Sequence, residues 1–389
     1  MREAQELKIL ISTTIFPNRA DITRCVFEKK LADEMQDQCQ LNVTVPVPYV
    51  PPFLAPEGYS AYRSLPKKDS LGGLEISHPR YFVMPKFFRS LHAFFWFGSL
   101  FPHYRKIFKT NKPDAILGIW AYPDGLTNLL LAKTHSIPIV IACRGSDINR
   151  LIKLPIHRKL IAWTLKRANY ILSVSEALKT EIVKLGVPAE NVIVIPNGVE
   201  TEKFKPISQA LARKQLNLNT SEKMIVTVSR LSYEKGVDVL INAIAKLSDH
   251  SVTLALVGDG AERATLEALV KTLGVEDRVK FYGSIPNHEI PLWLNAADVF
   301  ALGSRTEGWP NVLMEALSCG TPIVSTNVGG IPEIINSPEL GILVPPENPS
   351  EMAKSLQTAL DRTWDPQQLR DRVSNRSWHN VAEETCQLL

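Results

Sequence analysis

Two kinds of segment alternate along the chain. Short runs of Ile, Val and Leu, bounded by turn-forming residues, recur at 8–13, 41–47, 115–120, 138–143, 170–174 and 191–195. Such runs read as strands buried on both faces. Helical stretches lie between several of them, such as 127–135 and 160–168. The rhythm restarts at 224–229 and continues at 253–257, 279–282, 299–303, 323–326 and 341–344. Strands alternating with helices imply parallel sheets joined by right-handed crossovers. Two such series in 389 residues predict an α/β protein of two doubly wound, Rossmann-like domains. The turn signal Pro196-Asn197-Gly198 marks the change of series, so the domains are expected at 1–196 and 197–369. In open α/β sheets, ligands bind beyond the carboxyl ends of the strands. Two facing domains would place the site in the cleft between them, and closure would keep water from a transfer reaction.

Residues 78–110 break the rhythm. They hold 11 of the 30 aromatic residues, six Lys or Arg and no acid. A basic aromatic stretch suits an interfacial helix on an anionic membrane surface. Equally, it suits a helix packed on the sheet with its aromatics in the core.

Composition narrows the classes. With 45% hydrophobic and 22% charged residues, the chain is an ordinary globular one. No apolar run reaches the roughly 18 residues of a membrane span, and the polar start is not a secretory signal. The five cysteines are scattered, with no CxxC or Cys/His cluster for zinc. Free thiols in a reducing cytoplasm follow. Charge is divided unevenly: residues 1–200 carry 26 Lys and Arg against 17 Asp and Glu, and the rest carry 18 against 23. The first half is therefore expected to face something anionic.

The chemistry gathers in the second series. After the strand at 299–303 comes Glu307-Gly308-Trp309-Pro310-Asn311-Val312-Leu313-Met314-Glu315. Pro310 suits the first turn of a helix, whose N–H groups at Asn311 and Val312 would suit a phosphate. Glu307 would stand at the mouth of this turn beside a sugar, with Glu315 about two turns further. After the strand at 224–229 come Arg230 and Lys235, a planar fork and a point charge suited to a diphosphate. Fixed cations there stabilise a departing nucleoside diphosphate. The turn Val257-Gly258-Asp259-Gly260 lacks the third glycine of a dinucleotide fingerprint. A nucleotide edge could still pack on Gly258. The glycines of Gly329-Gly330-Ile331-Pro332-Glu333 permit close approach to a ligand, or simply a tight turn.

Taken together, SRLSYEKG, LVGDGAER, FYGSIPN (which contains Gly283), EGWPNVLMEALSCGTPIV and VGGIPEII resemble, in order and spacing, the carboxyl domain of the family 4 retaining glycosyltransferases of GT-B fold. The linker IPNGVETEKFKP matches as well. In the amino half, IFPN, VPVPYVPP and WAYPDG followed by RGSDIN are similar to a subgroup that makes cell-wall and extracellular polysaccharides. The resemblance implies that Arg230 and Lys235 hold the donor diphosphate and that Glu307 contacts the transferred sugar. Glu315 would contact the ribose, with Gly258, Gly283, Gly308, Asn311 and Val312 lining the donor. It implies a metal-independent reaction without a cofactor, by front-face attack, with a uridine or guanosine diphosphate sugar as donor. The last helix, anchored by Trp378 and running through Val381 to Leu388 within about 370–389, would pack back on the first domain.

Two departures stand out in the amino half. Cys25 takes a place where the subgroup tends to have glycine. Arg144-Gly145-Ser146-Asp147 replaces a His-Gly pair. Arg144 could hydrogen-bond a sugar or phosphate but not act as a base. Asp124 and Asp147 are candidates for orienting the acceptor, or cap and turn residues. The expected protein is a cytoplasmic transferase, peripheral on the inner face of a membrane, acting on a lipid-linked or polysaccharide acceptor. Nucleic acid is not an expected partner. A nucleotide-sugar 2-epimerase or a non-catalytic nucleotide-sugar-binding scaffold are the alternatives, a dehydrogenase the weakest.

Overall fold

The computed structural model describes residues 7–22, 24–50, 60–83, 89–220 and 222–389. It divides into two compact units, Met1–Asn197 with Trp378–Leu389, and Gly198–Ser377.

The first unit contains strands β1 (Lys8–Ser12), β2 (Gln40–Thr44), β3 (Val47–Tyr49), β4 (Lys68–Leu71), β5 (Leu74–Ser77), β6 (Arg80–Phe82), β7 (Ala115–Ile119), β8 (Ile139–Cys143), β9 (Tyr170–Ser173) and β10 (Val192–Val194). Eight form one sheet in the order β10-β9-β8-β7-β1-β2-β5-β4. Only β4 and β5 pair antiparallel. β3 and β6 form a separate parallel pair. Ile9, Ile11, Leu117, Val140 and Leu172 fill the core on one side of the large sheet, while Leu10 is equally buried on the other. Burial on both faces explains why these strands read as continuous apolar runs. The strand order reverses between β1 and β7, so the loops that follow them diverge there.

The second unit contains β11 (Met224–Val228), β12 (Thr253–Val257), β13 (Val279–Gly283), β14 (Val299–Leu302), β15 (Ile323–Thr326) and β16 (Gly341–Val344). They form one parallel sheet in the order β13-β12-β11-β14-β15-β16. Its reversal point lies between β11 and β14, where a doubly wound sheet binds its ligand.

All twelve apolar runs are strands. β3 to β6 have no such signal, because their residues are largely half-buried or exposed. At the end of the chain, the segment that returns to the first unit starts at Trp378 rather than about 370. Helix Pro366–Ser374 belongs to the second unit, burying Leu369 and Val373. Helix Trp378–Leu388 alone returns to the first, burying Trp378, Val381 and Ala382.

Of the aromatic segment, helix His92–Thr110 packs on the first sheet. Trp96, Leu100, Tyr104 and Phe108, spaced four apart along one stripe, are buried. The Tyr104 hydroxyl lies 2.5 Å from Ser12 Oγ. Leu91 and Phe94 remain exposed at its start. Residues 84–88, with Phe87 and Phe88, lie outside the described residues. Among the described residues, no helix is long and apolar enough to cross a membrane.

Candidate active site

At the reversal point of the second sheet, β11 runs into the loop Ser229 to Gly236 and β14 into Gly303 to Pro310. The two loops are locked together. Gly236 has φ 57°, and a Cβ there would run into the Gly303 carbonyl. Arg305 clamps the same junction. Its Nη1 and Nη2 donate to the Asp238 carboxylate at 2.9 and 2.7 Å, its Nε to Glu347 at 2.9 Å, and its plane stacks on Tyr233.

On this frame, Lys235 Nζ donates to Glu307 Oε1 at 2.6 Å, and Ser304 Oγ donates to the same oxygen at 2.7 Å. Glu307 is nearly enclosed, with 9% side-chain exposure, whereas Lys235 keeps 25%. Arg230 is exposed, and its side chain has no partner among the described residues. The cation assigned to a diphosphate and the acid assigned to a sugar are therefore in direct contact, 72 residues apart in sequence. Two hydroxyls of the first loop, Ser229 Oγ and Ser232 Oγ, are buried without a partner among the described residues.

Helix Asn311–Ser318 begins one residue after Pro310, which is its N-cap rather than part of its first turn. Gly308 is buried, and Val312 packs on the core of the unit. Glu315 lies in the middle of the helix, half-buried. The flanking glycines serve the protein itself. Gly329, at φ 54°, leaves room for the Glu307 carbonyl, and Gly258, at φ 134°, leaves room for that of Ser229. Gly258 also donates its N–H to the Gly283 carbonyl at 2.8 Å. These glycines bring loops together. Gly236→Ala should therefore destabilise the second unit by at least about 1 kcal/mol, from its left-handed backbone alone. A denaturant midpoint equal to that of the unaltered protein would contradict this packing.

In the first unit the assigned residues turn inward. Arg144 is 7% exposed, and its Nε and Nη2 both donate to the Glu28 carboxylate at 2.6 Å. Glu28, in the first turn of helix Val26–Met35, is fully buried. Burial pushes its carboxyl up, and Arg144 pulls it back. One edge of the Arg144 fork is thus engaged by a buried carboxylate, and its Nη1 lies 3.4 Å from Asn197 Oδ1. Asp147 is likewise fully buried, accepting from the N–H groups of Ala121, Arg144 and Gly145 at 2.9 to 3.0 Å. It ties the loop after β8 to the loop after β7, as a cap would. Asp124 accepts from Thr14 N at 2.7 Å and from the hydroxyls of Thr13 and Thr14, fixing the loop after β1. Neither carboxylate is presented to solvent. Cys25 has φ 46°, the left-handed conformation that glycine adopts most readily. That is the physical reason a glycine is expected there.

Burial pushes the Asp124 carboxyl up to about 7. A carboxyl raised on folding makes the native state bind more protons than the unfolded one. Stability is then fullest below the unfolded value and falls as pH rises through about 4 to 7, by at most about 1.4 kcal/mol per unit. Replacing Asp124 with Asn should flatten the dependence of unfolding free energy on pH in this window. An equal slope in both proteins would contradict the assignment.

Known proteins are similar to this chain. A family described as Glycosyltransferase Family 4 matches residues 40–203, and one described as Glycosyl transferases group 1 matches residues 208–377. An uncharacterized glycosyltransferase of Methanocaldococcus jannaschii is 33% identical over 356 residues, covering 82% of this chain and 85% of its own. The chain belongs to the family 4 glycosyltransferases. The Bacillus subtilis protein TuaC, named for teichuronic acid biosynthesis, is 28% identical, with 93% and 91% of the two chains covered. Among solved structures, a sucrose-phosphate synthase from Thermosynechococcus elongatus superposes with a TM-score of 0.81, at 21% identity over 99% and 98% of the chains. Anabaena HepE, solved with UDP, gives 0.76 at 22% identity over 98% and 99%. The fold is GT-B, with two Rossmann-like domains.

Within this family 4 chain, sequence reasoning missed Ser304, Arg305 and Glu28. The first two directly precede Glu307 in its loop, but nothing in their spacing reveals that Ser304 bonds Glu307 and that Arg305 clamps the loop to Asp238 and Glu347. Glu28 is an acid in a first helical turn, a common place for a solvated charge. Its partner lies 116 residues away.

Proposed function

We propose that the chain is a retaining, metal-independent glycosyltransferase that moves a hexose or related sugar from a UDP- or GDP-type donor to a lipid-linked or polysaccharide acceptor. The observation that carries this is the Lys235–Glu307 contact at the reversal point of the second sheet. A cation suited to a diphosphate directly beside an acid suited to sugar hydroxyls supports this reading. Arg230, exposed on the same loop, adds the second charge for the diphosphate. As the bond from the anomeric carbon to the phosphate oxygen breaks, negative charge grows on that oxygen, and the two cations stabilise it. The acceptor oxygen bonds to the anomeric carbon from the same face, and its proton passes to the departing phosphate. Glu315, further along its helix, contacts the ribose. UDP in the similarly folded HepE, and the name of TuaC, support the donor and acceptor classes.

The test is turnover of a panel of nucleotide sugars, with the anomeric configuration of the product read by NMR. An α product from an α-linked donor supports the proposal; an inverted product overturns the retaining mechanism.

Action at a membrane surface is part of the proposal. Its support is Leu91 and Phe94 exposed on the first unit, with Leu154 and Ile156 exposed beside the basic Lys153, Arg158 and Lys159. All five cysteines are free thiols, consistent with a cytoplasmic face. The protein should sediment with anionic but not neutral liposomes; no sedimentation with either would remove this part.

A further inference from the structure

Two thiols from opposite ends of the sequence meet in the first unit and play no part in the proposed transfer. Cys39 stands between helix Val26–Met35 and β2, and Cys386 in the last turn of helix Trp378–Leu388. Cys39 is 2% exposed, and its Sγ donates to the Met35 carbonyl oxygen at 3.3 Å. Trp378, Val381, Ala382 and Thr385 form the buried stripe of the last helix. Cys386, four residues after Ala382, continues that stripe. It packs, half-buried, against the same core that holds Cys39. There the sulfur of Cys386 is also within hydrogen-bonding reach of the Cys39 thiol. Both cysteines are reduced in the structure.

The pair differs from the other three thiols. Burial pushes Cys25 up to about 12 and raises Cys143 and Cys319 as well. A thiol held protonated is a poor nucleophile. Cys386 is shifted the other way, because a hydrogen bond from Cys39 favours its thiolate against the opposing effect of burial. Its partial exposure also leaves it open to a reagent in solution, whereas Cys39 is enclosed.

The position of the pair gives a bond there a consequence. The chain leaves the first unit after Asn197 and returns to it after Ser377. Helix Trp378–Leu388 anchors the return through non-covalent packing on the core. A bond from Cys386 to Cys39 would make that anchor covalent. It would close a loop of almost the whole chain, and on the chain-entropy account long loops gain most from closure.

We propose that Cys39 and Cys386 form a thiol–disulfide modification site, at which a small disulfide such as oxidised glutathione converts the pair into an internal disulfide that fastens the last helix to the first unit. The Cys386 thiolate attacks one sulfur of oxidised glutathione, whose S–S bond breaks. A mixed disulfide forms, and the first glutathione leaves as a thiol, with a proton replacing the one Cys386 gave up. The Cys39 sulfur then attacks the Cys386 sulfur, and the mixed S–S bond breaks. The second glutathione leaves with the proton from Cys39. Two electrons pass from the protein to oxidised glutathione, and excess reduced glutathione reverses both steps. The inference does not depend on the transferase reading, because the bond is read without turnover.

The experiment is incubation of the full chain with oxidised glutathione, followed by thiol counting under denaturing conditions and by peptide mapping without reduction. Two of the five thiols should disappear, with no glutathione retained and one cross-linked peptide joining Cys39 to Cys386. The melting temperature should rise by several degrees and return to its starting value with dithiothreitol. Cys39→Ser lacks the second attack and should hold a glutathione at Cys386. Cys386→Ser, altered at the half-exposed position, should keep its remaining thiols and show no rise; it carries the test even if the buried Cys39 variant does not fold. Five thiols remaining in the unaltered chain, a cross-link between other cysteines, or a glutathione that persists on Cys386 would overturn the proposal. A Cys39–Cys386 bond that leaves the melting temperature unchanged would overturn the fastening of the helix.

Discussion

Replacing Glu307 with Gln is expected to lower turnover of a nucleotide sugar by about 100-fold or more, the scale seen when one interaction made in the transition state is removed. The amide keeps the shape of the side chain and can still accept from Ser304. It loses the charge that pairs with Lys235 and that would polarise a sugar hydroxyl. Because the backbone of Glu307 packs closely on Gly329 and its loop is clamped by Arg305, the fold should survive. Melting temperature and nucleotide diphosphate affinity should therefore stay close to those of the unaltered protein while the rate falls. Turnover within about threefold of that rate, a difference of under about 1 kcal/mol, would remove Glu307 from the reaction.

The largest effect on stability is expected at Arg144. Truncating it to Leu leaves Glu28 fully buried without its partner, which should cost about 3–5 kcal/mol. Glu28 already has a raised carboxyl, and loss of Arg144 removes what pulls it back. The deficit should accordingly shrink as pH falls through the carboxyl range, where Glu28 becomes neutral. Replacing Glu28 with Leu in the same chain should recover much of the loss, because a buried ion pair contributes little against an apolar pair of similar volume. Denaturant unfolding at two pH values checks both points. A deficit below about 1 kcal/mol would place the pair at a solvated surface.

The two cases differ in how much of them the sequence disclosed. Glu307, Arg230 and Lys235 follow strands whose apolar runs are plain, so position along the chain already put them at carboxyl ends. Their meeting follows from strand order, in which β14 pairs with β11 although β12 and β13 intervene in sequence. Arg144 and Glu28 join loops and helices far apart in sequence, and no periodicity marks such a pair. Arg144 therefore read as an available cation when it is an engaged one. Asp124 and Asp147, read as acceptor-orienting or as cap and turn residues, are tied to Thr13 and Thr14 and to the Ala121 N–H respectively, partners that only the fold brings near them. Among the strands, β3 to β6 escaped because half-exposed positions carry no continuous apolar signal. At Cys25 the sequence showed only a departure from glycine, and the φ of 46° supplies its physical meaning.

The most direct test of the donor site is a thermal shift panel of UDP, GDP, ADP and NAD on the unaltered chain and on Arg230→Ala with Lys235→Ala. A ligand at 100 times its dissociation constant adds about 2.7 kcal/mol, which for units of this size is roughly 2–4 °C per kcal/mol. A shift of several degrees with UDP or GDP, lost in the double variant, is the predicted result. A shift with NAD alone, or a UDP or GDP shift that the variant retains in full, would contradict the assignment.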